Sequence, residues 1–164
     1  MLSLEYNSKS KTLLPIKMDK SISEIKRLEN LFSYEIIDTL PEIEFDDITA
    51  IASQICETPV SLITLIDQDR QWFKSKYGLS ASETPRDISF CGHALMTPFD
   101  PMMIQDTLED QRFFDNPHVI GDYGIRFYVG IPILSPENLA LGTFCLYDVK
   151  PNKLSEEQLK ALKI

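Results

Sequence analysis

The sequence predicts an α+β domain, and three observations carry that prediction. Two capped amphipathic patterns stand near the N-terminus and a third closes the chain. Two pairs of apolar, β-branched runs are each joined by a short polar link, and links that short allow only antiparallel neighbours. The 164 residues are 43% hydrophobic and 25% charged, an ordinary globular balance with enough length for one buried core.

Residues 1–20 are polar and rich in Ser and Lys, without sustained periodicity, and read as a flexible N-terminal arm. The single folded domain is expected over 21–164. Ser21-x-x-Glu24 has the form of a capping box and starts a first helix, with Ile22, Ile25, Leu28, Phe32 and Ile36 as its apolar stripe. Thr39-x-x-Glu42 offers a second box, with Pro41 in the first turn and Ile43, Ile48, Ile51, Ala52 and Ile55 as the buried stripe. Thr58-Pro59 ends that helix. Val60–Ile66 is apolar at nearly every position and reads as a central strand. Asp67-Gln68-Asp69 turns the chain into Arg70–Tyr77, which alternation arranges with Trp72 and Lys74 on one face and Phe73 and Ser75 on the other. Ile125–Leu134 and Leu139–Asp148 flank the turn residues Ser135–Asn138 and form a second hairpin. Ser155-x-x-Gln158 caps a final helix bearing Leu159 and Leu162.

Between the hairpins, Ser80–Tyr123 is dense in Asp, Arg, Pro and aromatic residues. A short helix over Ser89–Met96 and a strand over Met102–Gln105 are its expected regular elements. So long an irregular segment in a compact domain marks a functional region.

Charge and cysteine content exclude several classes. The net charge is −9, and four lysines against Glu5 and Asp19 make residues 1–20 locally positive, so the body is more acidic still. That balance lacks the basic footprint of a nucleic-acid binder. The longest charge-free stretch, Ile88–Phe99, is 12 residues, too short to span a bilayer. Cys56, Cys91 and Cys145 are odd in number and lie in apolar contexts, which reads as core thiols in a reducing cytoplasm rather than a disulfide framework. Cys91-Gly92-His93 has no CxxC or HxxxH partner, so no metal and no other cofactor is expected.

Several blocks in order resemble a known family. They are Phe45-Asp46-x-Ile48, Pro59–Ile63, Asp67-x-Asp69-Arg70-Gln71-Trp72-Phe73-Lys74, Glu83–Asp87 with Ser89-Phe90-Cys91-x-His93-Ala94, Asp110-x-Arg112-Phe113-x-x-Asn116-Pro117, Arg126-Phe127-Tyr128 and Leu141-Gly142-Thr143-x-Cys145-x-x-Asp148. This pattern resembles the GAF domain, in the subgroup at the N-terminus of bacterial sensor histidine kinases and diguanylate cyclases. The resemblance implies an antiparallel sheet of about six strands, terminal helices on one face, and short helices plus long loops enclosing a pocket on the other. It implies a sensory module that dimerises through its terminal helices and signals to an output domain or a partner kinase or cyclase.

On this reading the chain is a non-catalytic cytoplasmic sensor for an unknown small molecule. The expected pocket lies between the sheet and Asp87–Asn116, walled by Trp72, Phe90, Cys91, His93, Arg112, Phe113 and Tyr128 and anchored by Asp87 and Asn116. Glu83, Arg86, Asp106 and Asp110 are expected to brace the loops as ion pairs. Two other readings stand beside it. One is a cysteine-dependent redox enzyme related to free methionine-R-sulfoxide reductase, which resembles this chain at Cys91-Gly92-x-Ala94 but also uses a loop cysteine that Asp115–Arg126 lacks. The other is a structural dimerisation module with a collapsed pocket.

Overall fold

The computed structural model describes the backbone of residues 18–163 and the side chains of 22–163. The arm expected over 1–17 lies outside the described residues, whereas 18–20 already belong to a helix. The elements are α1 (Met18–Ser33), α2 (Ile43–Cys56), β1 (Val60–Ile66), β2 (Arg70–Tyr77), β3 (Glu83–Pro85), α3 (Phe90–Ala94), β4 (Met102–Ile104), α4 (Pro117–Ile120), β5 (Phe127–Leu134), β6 (Ala140–Asp148) and α5 (Glu156–Leu162). One six-stranded antiparallel sheet runs in the order β3-β2-β1-β6-β5-β4.

The central strands follow from composition. Every residue of β1 and β6 is buried, so both faces of the sheet centre are covered. One face carries Ile63, Phe127, Val129, Phe144 and Leu146 against α2 and α5. The other carries Leu62, Ile66, Phe73, Tyr128, Cys145 and Tyr147 against α3 and the irregular segment. Gly142 lets β6 approach β1 closely, because a Cβ there would stand 1.9 Å from the Thr64 carbonyl oxygen and 2.8 Å from Leu65 Cα.

Both N-terminal helices differ from the sequence expectation, and charged side chains are the reason. α1 runs through Ser21, so Ser21-x-x-Glu24 caps nothing; the Glu24 carboxylate instead accepts from Arg27 and Arg86. Arg27 is 6% exposed, and its guanidinium donates to the Ile66 carbonyl at 2.8 Å and the Ala140 carbonyl at 3.4 Å. That anchorage turns Arg27 and Leu31 inward and leaves Ile22, Ile25 and Phe32 about half exposed. The Thr39-x-x-Glu42 box is likewise used otherwise. Lys74 donates to Thr39 Oγ1, to the Leu40 carbonyl and to the Glu42 carboxylate, while the α2 N-terminus has no side-chain cap. α2 then buries Thr49, Ala52, Ser53 and Cys56, small residues that let it lie close to the sheet, and leaves Ile43, Ile51 and Ile55 exposed.

Lys74 also breaks the alternation of β2. The register passes from Ile63 opposite Ser75 to Thr64 opposite Phe73, so Lys74 is the extra residue of a β-bulge. Ser75 therefore joins Trp72 on the helix face, where its hydroxyl bonds Asp46 and Thr49 of α2. Phe73 alone of that expected pair faces the loops. At the other end, Ser155 and Gln158 form the expected capping box, and Gln158 Nε2 donates to the Ile55 carbonyl, tying α5 to α2.

Gly142→Ala tests the close approach of β1 and β6. The added carbon meets backbone, which cannot swing aside, so the variant should lose about 3 kcal/mol. Thermal unfolding should show a midpoint roughly 6–12 °C lower; an unchanged midpoint would refute the steric account.

Candidate functional site

The loop face of the sheet is a mainly apolar floor in which a few hydroxyls and thiols are set. β6 contributes Thr143, Cys145 and Tyr147, spaced by two so that they share a face. β5 contributes Tyr128, β1 Leu62 and Thr64, and β2 Gln71 and Phe73. Short α3 is set over this floor by its cap. Ser89 Oγ accepts from the Gly92 N–H at 3.0 Å and donates to the Arg86 carbonyl at 2.8 Å. The helix so started drives Phe90, Cys91 and Ala94 into the sheet, all buried. Phe90 stacks between Phe113, with ring centroids 4.4 Å apart, and Tyr128, at 5.1 Å.

Beside this stack lies a cavity of about 40 Å³, lined in part by Gln71, Phe73, Cys91, His118, Tyr128 and Cys145. A water needs roughly 10–15 Å³ of such space, so the cavity has room for about three or four waters and no metabolite in this conformation. Half-buried Leu79, Thr84 and Tyr123 form its outer lining. His118 is placed by α4, where Asn116 Oδ1 accepts from the His118 N–H at 2.8 Å and Pro117 occupies the first turn. The Tyr123 ring meets His118 edge-on at 5.1 Å. Burial lowers the affinity of the imidazole for its second proton.

Two thiols meet at the cavity wall. Cys91 and Cys145 share an Sγ–Sγ contact of 3.6 Å, and the Tyr128 hydroxyl donates to Cys91 Sγ at 3.2 Å. Thr64 and Thr143 pair their hydroxyls at 3.1 Å alongside. Burial pushes the Cys91 thiol up, but donors from Cys145, Thr143, Tyr128 and Thr64 outweigh it and hold the group at about 7. Cys145, as donor to Cys91 and itself buried, is pushed up, and burial beside Cys91 raises Tyr128 in the same direction.

Of the residues expected to wall a pocket, Phe90, Cys91 and Tyr128 line this cavity. Phe113 packs behind Phe90 and fills space rather than enclosing it. Trp72 is on the opposite face with Leu31, Leu65 and Leu141, because the sheet separates it from Phe73. His93 lies on the outer side of α3, edge-on to Phe113 at 4.8 Å. With Arg86, Asp87, Gln68 and Asp69 it borders an open groove of about 500 Å³. Arg112 is exposed, paired to Asp110 at 2.6 Å and laid over the Phe113 ring. Asn116 is a brace, capping α4 and donating to the Ile88 carbonyl at 2.9 Å. The loop-bracing expectation needs other partners: Glu83 pairs with Arg70, and Arg86 with Glu24.

Sequence reasoning missed His118, Tyr123, Gln71 and Tyr147. Alternation along β6 carried the signal for Tyr147, since Thr143 and Cys145 share its face. Asn116-Pro117 carried the signal for His118, as the start of a helix rather than a bare turn. Among the described residues, no group of three or more His, Cys, Asp or Glu side chains is placed to hold a metal ion, and no helix is long and apolar enough to cross a membrane.

The GAF domain family model matches residues 41–164. A curated relative, the cyclic di-GMP phosphodiesterase PA2567 of Pseudomonas aeruginosa, is 39% identical over 120 residues, which is 73% of this chain. The chain spans one fifth of that relative's length, 20%. The fold resembles the GAF domain of an Acinetobacter phosphoenolpyruvate-protein phosphotransferase, with TM-score 0.58, 15% identity and 85% of both chains covered. It also resembles a domain of a Sinorhizobium meliloti two-component sensor histidine kinase, with TM-score 0.56, 19% identity, 76% of this chain and 83% of the other. A free methionine-R-sulfoxide reductase from Neisseria meningitidis aligns at TM-score 0.57 and 14% identity, over 99% of this chain and 94% of the other.

The Glu24 clasp around the site should govern acid stability. Partial burial pushes its carboxyl up, but Arg27 and Arg86 together outweigh that and hold it at about 2, against an ordinary value of 4.5. A depressed folded-state value contributes stability above pH 4.5 that is lost as pH falls toward 2. The thermal midpoint should therefore drop over that window, and Glu24→Gln should flatten the drop while lowering the midpoint at neutral pH. Equal acid slopes for both proteins would contradict the clasp.

Proposed function

The chain belongs to the GAF domain family, and from that premise we propose that it is a non-catalytic sensory domain. It detects a small molecule at the cavity between sheet and loops, and relays occupancy to an output domain. Membership of a family of sensory domains supports the signalling role. The observation that carries the site is the aromatic and thiol-lined cavity under α3 and α4 on the loop face. At about 40 Å³ it takes an occupant of a few heavy atoms as it stands; a larger one requires Tyr123 and the loop around Leu79 to swing outward. The 39% identical stretch in a cyclic di-GMP phosphodiesterase favours an output that handles a cyclic dinucleotide, in the same polypeptide or a partner. We place the domain in the cytoplasm, in keeping with three unpaired thiols.

Relay is proposed to run through a homodimer. The half-exposed Ile22, Ile25 and Phe32 form an apolar strip along α1, suited to an isologous interface across a two-fold axis. One observation favours the competing reading of a purely structural module. The Phe90–Phe113–Tyr128 stack fills much of the expected pocket with the protein's own side chains.

A metabolite and dissolved-gas screen by thermal shift separates the two. Saturation at 100 times the dissociation constant adds about 2.7 kcal/mol, so a true ligand should raise the midpoint by roughly 5–10 °C. Tyr123→Ala, at a half-buried position, should erase that rise with little effect on the unliganded protein. A screen without hits favours the structural module. Light scattering should report a dimer at micromolar concentration and a monomer for the pair Ile25→Glu, Phe32→Glu. A monomeric parent protein would remove the relay proposal.

A further inference from the structure

We infer that Cys91 and Cys145 form a peroxide-sensitive dithiol, oxidised through the adjoining cavity to an intramolecular disulfide that fastens α3 to β6. The chemistry rests on geometry, and only its meaning as a signal rests on the sensory reading above. The two sulfurs are already 3.6 Å apart. Both line a cavity of about 40 Å³, space for hydrogen peroxide but not for a bulky oxidant. The Tyr128 hydroxyl is aimed at Cys91 Sγ from 3.2 Å, where it stabilises a thiolate. The hydrogen bonds that Cys91 receives lower its thiol despite burial, which favours the thiolate. Cys56, buried on the helix face, has no such surroundings; burial alone pushes its thiol up.

The sequence of steps balances. The Cys91 thiolate attacks one oxygen of hydrogen peroxide, the O–O bond breaks, and hydroxide leaves to take up the proton released by Cys91. Cys91 is then a sulfenic acid. The Cys145 sulfur attacks the Cys91 sulfur, the S–O bond breaks, and the departing hydroxide leaves as water with the Cys145 proton. Two thiols and one peroxide give one disulfide and two waters. The thiols are oxidised by two electrons and the peroxide is reduced. Tyr128 contributes position and hydrogen bonding and undergoes no net change.

The test uses the reduced, folded protein. It is treated with equimolar hydrogen peroxide, freed of residual peroxide with catalase, unfolded in urea with a thiol-alkylating reagent because all three thiols are buried, and digested for mass spectrometry. The expected product is a Cys91–Cys145 cross-linked peptide, reversible by dithiothreitol, with Cys56 still alkylated. Cumene hydroperoxide, compared with hydrogen peroxide after scaling each to its rate on the urea-unfolded chain, should react at least about tenfold more slowly, because the sulfurs are buried and the space beside them is too small for it. Cys145→Ser should accumulate a sulfenic acid at Cys91, which dimedone captures once the chain is unfolded in its presence. Tyr128→Phe should slow oxidation by roughly tenfold, the value of one hydrogen bond to a charged group.

Thiols that stay alkylatable after peroxide in the folded protein, or a first oxidation at Cys56, overturn the inference. Equal scaled rates for the two peroxides overturn entry through the cavity. None of these outcomes bears on a thermal-shift ligand erased by Tyr123→Ala, so failure here and failure of the sensory reading remain distinct.

Discussion

Burial of β1 and β6 on both faces is the constraint from which the architecture follows. Nine consecutive residues of β6 are buried. A strand apolar on both faces cannot stop at the surface, because each face must lose its water. The helix side meets this demand with regular elements, α2 and α5. The loop side meets it with a segment that has little secondary structure. Such a segment carries many backbone N–H and C=O groups toward the interior, and each left unpaired costs stability. Side-chain caps settle that cost locally. Ser89 serves α3, Asn116 serves α4, and Asp106 accepts from the Leu108 N–H. Thr107 Oγ1 donates to the Ile125 carbonyl. The polar content of this region is thus the condition for an irregular lid, and the cavity is the space that the lid does not fill.

Charged groups do two different jobs. Arg126–Asp106 and Arg112–Asp110 are partly exposed pairs that fix loop shape and contribute little net stability. Arg27 and Lys74 are buried, and each satisfies backbone carbonyls as well as a carboxylate. Removing Arg27 would strand the Ile66 and Ala140 carbonyls in the interior, a loss far larger than that of a surface pair, whereas the partners of Lys74 lie at the surface and it is the ammonium itself that is buried. Arg27 fixes where α1 crosses the end of β1 and β6. Lys74 fixes where the chain enters α2, and as the bulged residue it moves Ser75 to the helix face.

Five of the six strands, the hairpins and the final capping box were legible because each depends on local pattern and turn chemistry; β3, three residues at the sheet edge, lay in a stretch read as loop. The N-terminal caps were misread for the opposite reason. Ser21-x-x-Glu24 and Thr39-x-x-Glu42 satisfy the local rule, but residues distant in sequence, Arg86 and Lys74, claim their carboxylates. The isoleucine stripes failed in a related way. A helix packed close to a sheet favours Thr49, Ala52 and Ser53 at the contact, so of the expected α2 stripe Ala52 and Ile48 face the core while Ile43, Ile51 and Ile55 do not. At the candidate site, the segment and the face were legible, and so were Phe90, Cys91 and Tyr128. Trp72 was not, because choosing between it and Phe73 requires knowing which face each helix covers. His118 and Tyr123 enter only through the tertiary path of the loop.

Arg86 joins the two faces. Its guanidinium holds Glu24 of α1 at 2.6 Å and the Asp67 carbonyl at 3.0 Å, while its own carbonyl accepts from Ser89, the cap of α3. One residue therefore links the helix that carries Phe90 and Cys91 over the cavity to the helix that carries the exposed apolar strip. Spatial continuity alone does not make a signalling route; a route needs an element with two arrangements that both ends bias. α3 meets the structural part of that requirement. It is five residues long, is held by one side-chain cap, and bears the residues that an occupant or a disulfide would displace. Any change in its seat moves the backbone at Ser89 and Arg86, and the clasp on Glu24 must then follow or break. The choice between those outcomes depends on pairing strength against helix anchorage. Arg27 holds that carboxylate through two donors, Nε and Nη2, and Arg86 through one, so the clasp resists breaking at α1 and yields first at the Arg86 end.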